Sequence, residues 1–496
     1  MSRRITTAPR RGQWFALAAV LLLAFALRVG ALVSEAPLHP DEALFATFAR
    51  HAALNGDWLL HGELDKPPLA IYAIALSMRT VAAQPRDTVL DFTASQGEAA
   101  ARLPGLFASL ITAASLFAVG RRLYRNSNRA FWAAMLFALS PIAIGYGTSA
   151  FTDGMMLCAA SLALLAATMG RWTWSGIWFG AAFAAKQQAL FLAPLVVGLG
   201  WATGLLTLRG FLRFGAASAA GLLLLMGWDA LRGQTTGMLA LAAANNDVSR
   251  LIRSGEVLPR LARWLTFGLS LHGLGIAALL PLSVAAGRSL EEHHRLIDRL
   301  LLLFIVVYAA AHWLAAFNTY ERYALPLLLP SCLILSRGPA RLSLRIRAST
   351  VSLRVHTTIA LGAVTAFIVC GSLEAASGGR SLFSSDGRTG TAGIEEAATY
   401  LNEKPVATVI YDRWFGWELG FYLGEWTDKR RVYYPTPDTL ARGAAALIEV
   451  APRYFLAPAQ TPMTLWLEAL EVEGFSVVEE ARFDQIVIYR LEPPGQ

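Results

Sequence analysis

The chain has 496 residues, of which 55% are hydrophobic and only 16% charged, where a soluble protein of this size carries about a quarter. That balance excludes an ordinary soluble enzyme and points to a polytopic membrane protein. The net charge of +8 comes from arginines spread between apolar segments, which fits positive-inside topology and argues against a nucleic-acid partner.

Arg3, Arg4, Arg10 and Arg11 precede an apolar run from Trp14 to Val33. The run is too long for a signal-peptide core and lacks a small-residue cleavage site, so it is expected to be a retained first span. Leu38-His39-Pro40-Asp41-Glu42-Ala43 follows. Leu44, Phe45, Phe48 and Leu54 recur at helical spacing, predicting a helix over 43–54 with Asp41 at its start. There a carboxylate is favoured by capping and by the helix dipole, so Asp41 reads as a cap or as a functional acid. Asp65-Lys66-Pro67-Pro68-Leu69 comes next, and then an apolar stretch to Ala83. A true crossing there would put Arg102 and all later loops on the wrong sides, so an interfacial or re-entrant helix is predicted.

Each span needs about 20 apolar residues, which predicts spans near 14–33, 102–120, 130–147, 154–170, 173–187, 188–207, 211–230, 264–287, 300–316, 323–337 and 357–374. The expected fold class is therefore a polytopic α-helical membrane protein with about 11–13 transmembrane helices. Arg121, Arg122, Arg125 and Arg129, then Arg171, Arg209 and Arg213, then Arg288, Arg295 and Arg299, and finally Arg337 to Arg354 mark the cytoplasmic loops. The Asp41–Lys66 loop and the C-terminal tail then face outward. Past residue 380 the apolar runs shorten and acidic residues return. Strand-like segments at Val406–Tyr411, Arg431–Tyr434, Tyr454–Leu456, Val477–Glu480 and Ile486–Tyr489 alternate with helical stretches. The expected domains are a transmembrane unit over 1–380, with its first outer loop at 34–101, and an extracytoplasmic α/β domain over 381–496.

Ionisable residues near apolar spans are costly to place and are therefore functional candidates. Asp41 and Glu42 are the acid/base candidates, with Asp41 favoured, because adjacent helical residues point in different directions. Lys66, fixed by two prolines, suits a phosphate leaving group; a lysine snorkelling to headgroups is its alternative. Asp153 reads as a second carboxylate or a helix cap. Lys186 reads as a phosphate ligand or an end-of-helix anchor. Arg102 lies in the outer-face set, and Arg322 with Tyr323 either clasps a phosphate or joins an interfacial belt. The loop from Asp229 to Arg263 carries Arg232, Arg250, Arg253, Arg260 and Arg263 against the positive-inside trend, which hints at an anionic ligand or a surface on acidic lipid. His39, His51 and His61 share the first loop with acidic residues but have no fixed ligand spacing, so no cofactor is certain and a divalent metal stays open. Cys158, Cys332 and Cys370 all fall in apolar runs and define neither a zinc site nor a disulfide framework.

These motifs, together with Arg102-Leu103-Pro104-Gly105, Thr152-Asp153, Ala185-Lys186 and Tyr323-Ala324-Leu325-Pro326, resemble the integral-membrane glycosyltransferases of C-type fold. That family includes protein O-mannosyltransferases and the aminoarabinose transferases that modify lipid A. Val409-Ile410-Tyr411-Asp412 and Leu419-Gly420-Phe421-Tyr422-Leu423-Gly424 are similar to the outer domain of the bacterial branch. The resemblance covers nearly the whole chain. It implies a polyprenyl-phosphate-linked sugar as donor, inversion at the anomeric carbon, and a lipid, glycan or protein acceptor. It also implies multi-pass residence in the inner membrane with the site on the periplasmic face. Asp41 then looks like the catalytic base, Lys66 like the phosphate-contacting lysine and Asp153 like the second carboxylate. Asp65 stands where some lipid A-modifying members have a metal-binding Glu. The rival reading is a polytopic lipid or glycan transporter or flippase, which would tend to show duplicated halves; the chain shows no internal repeat.

Overall fold

The structure is a computed structural model that describes residues 11–34, 37–86, 89–246, 250–287, 291–316, 318–348, 358, 362, 365–366, 369–377, 391–424, 428–447 and 451–494. The predicted span at 357–374 and the expected domain boundary at 380 fall largely outside them. The chain divides into two compact units: residues 1–34, 59–73 and 102–385, and residues 35–58, 74–101 and 386–496.

The elements in chain order begin with α1 (Arg11–Leu32), α2 (Pro40–Asn55), α3 (Leu69–Ser77), which runs on as a π-helical turn Met78–Ala82, and a hairpin of β1 (Gln84–Arg86) and β2 (Val89–Asp91). Next come α4 (Ala94–Tyr124), α5 (Ser127–Ala138), α6 (Pro141–Gly147), α7 (Thr152–Ala167), α8 (Trp172–Ala185), a 3-10 turn Gln187–Leu192 and α9 (Ala193–Ala202). They are followed by α10 (Leu208–Leu231), α11 (Met238–Asn246), α12 (Val257–His272), α13 (Ile276–Gly287), α14 (Glu292–Leu314), a 3-10 segment Glu321–Leu327, α15 (Leu328–Leu335) and α16 (Arg337–Ala348). The C-terminal part holds α17 (Ile394–Asn402), β3 (Val409–Asp412), α18 (Gly416–Tyr422), β4 (Arg430–Tyr433), α19 (Pro437–Ala446), β5 (Arg453–Pro458), α20 (Thr464–Val472), β6 (Ser476–Phe483) and β7 (Ile486–Glu492).

Five helical stretches among the described residues are long and apolar enough to cross a membrane: 11–32, 94–124, 208–231, 254–287 and 292–314. The pair α5–α6, bent by 60°, makes a sixth if it is counted as one span. Among the described residues the other predicted spans are shorter helices. Ser140-Pro141 ends one helix and starts another, because proline lacks the N–H that an uninterrupted helix needs. The segments expected at 188–207 and 323–337 each open with a 3-10 turn before becoming α-helical. Span two starts at Ala94, so Arg102 and Pro104 lie inside α4 rather than at its mouth.

In the first unit, buried polar groups join helices whose apolar faces alone would not fix their register. Arg28, fully buried in α1, donates to Ser109 Oγ (2.7 Å), Ala24 O (3.1 Å), Ala138 O (3.1 Å) and Ala143 O (3.5 Å). It therefore joins α1 to α4, α5 and α6 through buried polar contacts. Asp298 of α14 accepts from Tyr124 Oη (2.6 Å), Arg129 Nη2 (3.3 Å) and Arg337 Nη1 (2.7 Å), tying four helices together. Gly105 lets α4 approach the 147–149 turn, since a Cβ there would lie 2.7 Å from Ser149 O and 3.2 Å from Gly147 O. Gly105→Ala is expected to destabilise the protein by about 1–3 kcal/mol; thermal unfolding in detergent measures this.

In the second unit, five strands form a sheet in the order β4-β3-β5-β7-β6. The first three are parallel, with Val409 opposite Arg430 and Arg453, and the last two run antiparallel as a hairpin. This is the expected α/β domain, with each predicted strand present. Val409, Tyr411, Phe455 and Leu491 pack on Leu440 of α19 and Leu470 of α20 to form its core. The helix α19 was not anticipated, although Thr436 as N-cap followed by Pro437 is a readable start signal.

Candidate active site

In the second unit the Asp41–Glu42 motif opens α2 in an unexpected way. The N-cap is His39, whose Nδ1 accepts from the Asp41 amide (3.1 Å), and Glu42 Oε2 accepts from the His39 amide (3.0 Å). This is a capping box with histidine in the place usually held by serine or threonine. The expectation that Asp41 caps the helix is therefore corrected: its side chain lies one turn-step inside, partly exposed, at the positive end of the dipole. Glu42 is fully buried. Pro40 at the first helical position pre-sets the backbone.

The helix α18 is docked against α2. Thr47 Oγ1 donates to Trp417 O (3.3 Å), Arg50 Nη1 donates to Phe421 O (2.9 Å), and the Phe48 and Trp417 rings lie 5.8 Å apart. Arg50 Nη2 also pairs with Asp91 (3.1 Å), and the Leu38 amide donates to Tyr422 Oη (2.8 Å), which in turn bonds Glu98. Glu418 of α18, 1% exposed, has an Oε1 with no hydrogen-bond partner among the described residues. Burial pushes its carboxyl up to about 7, and the negative charges of Asp412 and Asp41 add to the rise. Since the folded value exceeds the ordinary carboxylate value, folding favours the protonated form. The stabilisation is complete below about pH 4.5 and is lost as pH rises through 7, amounting to roughly 3 kcal/mol. The melting temperature is expected to fall between pH 5 and 8, and Glu418→Gln to flatten that fall.

In the first unit a second group of candidates comes together. Asp153, in the first turn of α7 and 1% exposed, accepts from Lys186 Nζ at 2.6 Å. Lys186 ends α8 and is buried, so it is not an anchor reaching for headgroups; its Nζ also sits 5.2 Å from the Tyr323 ring centroid. Lys66 and Arg322 lie within electrostatic reach of Lys186. Lys66 is paired with Asp65, whose Oδ2 also accepts from Asn245 Nδ2 (3.1 Å) and whose carbonyl accepts from Gln187 Nε2 (2.5 Å). The Arg322 guanidinium is stacked among aromatic rings, 4.9 Å from Phe151 and 4.7 Å from Tyr320. Next to it, Glu321 accepts from Tyr146 Oη (3.0 Å). Arg102 is buried in α4.

Several partners were not anticipated. Gln188 Nε2 donates to Tyr308 Oη (2.6 Å), and Tyr308 Oη donates to Tyr323 O (2.8 Å), fixing the backbone beneath the Tyr323 ring. Asn246 Oδ1 accepts from Tyr323 Oη (3.3 Å). Gln187-Gln188, a polar pair between apolar runs, was a visible signal; Tyr308, in the middle of α14, gave none. The arginines after Asp229 serve chain carbonyls and neighbouring side chains instead of an open anion site. Arg232 donates to Leu60 O and Gly62 O, Arg260 to His312 O, Trp313 O and Ala315 O, and Arg250 pairs with Glu256. Among the described residues no three His, Cys, Asp or Glu side chains are grouped to hold a metal ion. His39 is already committed to the cap through Nδ1.

Residues 65–228 match the family model of dolichyl-phosphate-mannose-protein mannosyltransferases. The fold is similar to that of ArnT from Cupriavidus metallidurans bound to undecaprenyl phosphate, at 15% identity and a TM-score of 0.63, covering 97% of this chain and 98% of that one. The apo state of the same protein gives 14% identity and a TM-score of 0.65 over the same shares. An oligosaccharyltransferase from Archaeoglobus fulgidus gives 10% identity and a TM-score of 0.57, covering 94% of this chain and 73% of that one. The comparison with curated proteins gives no match. The chain is a multi-pass membrane protein with the C-type glycosyltransferase fold. The family model matches about a third of the chain, and the likeness of fold extends over nearly all of it.

Proposed function

We propose that the protein transfers a monosaccharide from a polyprenyl-phosphate-linked donor to a lipid, glycan or protein hydroxyl at the outer face of the bacterial inner membrane. The acceptor oxygen attacks the anomeric carbon as the bond from that carbon to the phosphate oxygen breaks. Asp41 takes the acceptor proton, and the electron pair leaves on the phosphate, releasing polyprenyl phosphate and an inverted sugar. A positioned carboxylate contributes typically about 10²–10⁴-fold to such a step. Lys66, Lys186 and Arg322 hold the departing phosphate, with Arg102 as a further cation of the set. Negative charge grows there in the transition state, so fixed cations act where they are most effective.

The observation that carries this reading is the group of cations in the first unit, with Lys186 and Arg322 buried and Lys66 partly exposed. Lys186 is held by Asp153 at 2.6 Å in a site with Lys66 and Arg322 in electrostatic reach. Asp153 and Asp65 each pair with one of the lysines, and a phosphodiester head is a further anion that such a set of fixed cations can hold. Glu42 takes a capping part, which leaves Asp41 the better base of the pair, and Asp153 holds Lys186 rather than the acceptor. The test is to purify the protein and identify its bound lipid by mass spectrometry. A polyprenyl-phosphate sugar or polyprenyl phosphate is expected. Ordinary phospholipid alone would contradict the reading and favour a lipid transporter.

A further inference from the structure

We propose that Glu418 is a positioning residue for Asp41: α18 is docked along the helix that Asp41 opens and keeps a buried carboxyl within electrostatic reach of the base. This rests on the reading of Asp41 as the base, but it concerns a residue from the C-terminal domain that the transfer step itself does not use.

The geometry is built from both helices. Two carbonyls of α18, those of Trp417 and Phe421, accept from Thr47 and Arg50 of α2, and Gly420 brings the backbones together because a Cβ there would meet Thr47 at 3.3 Å. The start of α18 is fixed by Asp412, whose Oδ1 accepts from the amides of Trp414 (2.9 Å) and Phe415 (2.8 Å). Glu418 is carried between these fixed points with its Oε1 shielded from water and without a hydrogen-bond partner among the described residues. An apolar or amide side chain would fill that space without desolvating a titratable group, so the carboxyl calls for an explanation beyond packing.

The charged groups around it define its behaviour. Asp412 and Asp41 both oppose its ionisation. Arg431 of β4 faces Asp412 and donates from Nη1 to Gly416 O (2.8 Å). Arg50 of α2 is held by Phe421 O and Asp91, Glu42 is turned to the His39 amide, Tyr422 bonds Glu98, and the Asn402 amide of α17 donates to Leu423 O (3.3 Å). Electrostatic coupling is reciprocal, so if Asp41 opposes the ionisation of Glu418, an ionised Glu418 raises the proton affinity of Asp41. Near neutral pH the protonated form leaves Asp41 as a weaker base. Loss of that proton makes it a stronger one.

The experiment compares kcat–pH profiles of wild type, Glu418→Gln, Asp412→Asn and Asp41→Asn as full chains in detergent. The probe is release of undecaprenyl phosphate from a panel of undecaprenyl-phosphate-linked hexoses and aminopentoses, with membrane extract as acceptor. Wild-type kcat is expected to climb about two- to tenfold between pH 6 and 8, with an inflection near 7, as a stronger base takes the proton more readily. Glu418→Gln matches wild type at pH 5.5, lacks the inflection, and keeps the donor KM. Asp412→Asn moves the inflection to lower pH, because one of the opposing charges is gone. A Glu418→Gln profile that overlays wild type overturns the proposal, as does one depressed equally at every pH, which would mark a packing role. Transfer retained by Asp41→Asn would instead overturn the assignment of the base, whatever Glu418→Gln does.

Discussion

Asp41→Asn is expected to abolish transfer, with kcat reduced by about 10²–10⁴-fold, while expression, melting temperature and lipid binding stay near wild type. The amide of Asp41 is held by His39 Nδ1 and the cap is closed by Glu42, so removing the charge of Asp41 leaves both bonds in place. The lost macrodipole interaction is small for a partly exposed group, about 0.3–1 kcal/mol. Glu42→Gln is the informative contrast. It weakens the box at a fully buried position and should lower the melting temperature, with activity falling as a consequence of altered folding. Activity assays alongside melting curves on the two variants separate the roles.

The second large effect concerns the Asp153–Lys186 pair. Both groups are buried and 2.6 Å apart, so removing either one strands a charge away from water. Asp153→Ala and Lys186→Met are each expected to cost about 3–5 kcal/mol. Combining Asp153→Asn with Lys186→Met removes both charges and should recover part of that stability, since a buried pair replaced by neutral groups is often near neutral in cost. Activity should not recover with stability. If Lys186 contacts the departing phosphate, the double variant folds but transfers poorly, and the melting temperature and turnover diverge. Recovery of both together would mean that the pair only holds α7 to α8.

Motifs made of charges beside apolar runs were legible because such residues are rarely tolerated there. Asp41, Lys66, Asp153 and Lys186 stand out as candidates that way, and the alternation of strands and helices after residue 380 is legible from pattern. What the sequence concealed was longer in range. Arg28 sits in the last part of the first span, where an arginine reads as a flanking charge; its acceptors at Ser109, Ala138 and Ala143 are brought to it only by folding. Asp298 looked like an ordinary loop residue between arginines, yet it is the acceptor for Tyr124, Arg129 and Arg337. The arginines after Asp229 suggested an anion site by charge alone, but carbonyl groups take several of them. Composition reports how much charge is present, and only tertiary contacts report what it faces. His39 as a helix cap was hidden for a different reason: its ring nitrogen does the work usually given to a hydroxyl or carboxylate.

The central claim is sugar transfer from a polyprenyl phosphate with inversion, assisted by Asp41. The most direct measurement incubates the purified protein with radiolabelled undecaprenyl-phosphate monosaccharides and a membrane acceptor fraction. It follows release of undecaprenyl phosphate and the anomeric configuration of the labelled product by NMR. Release coupled to an inverted product is expected for wild type, and neither for Asp41→Asn. A product with retained configuration, or equal release by the Asp41→Asn protein, would contradict it.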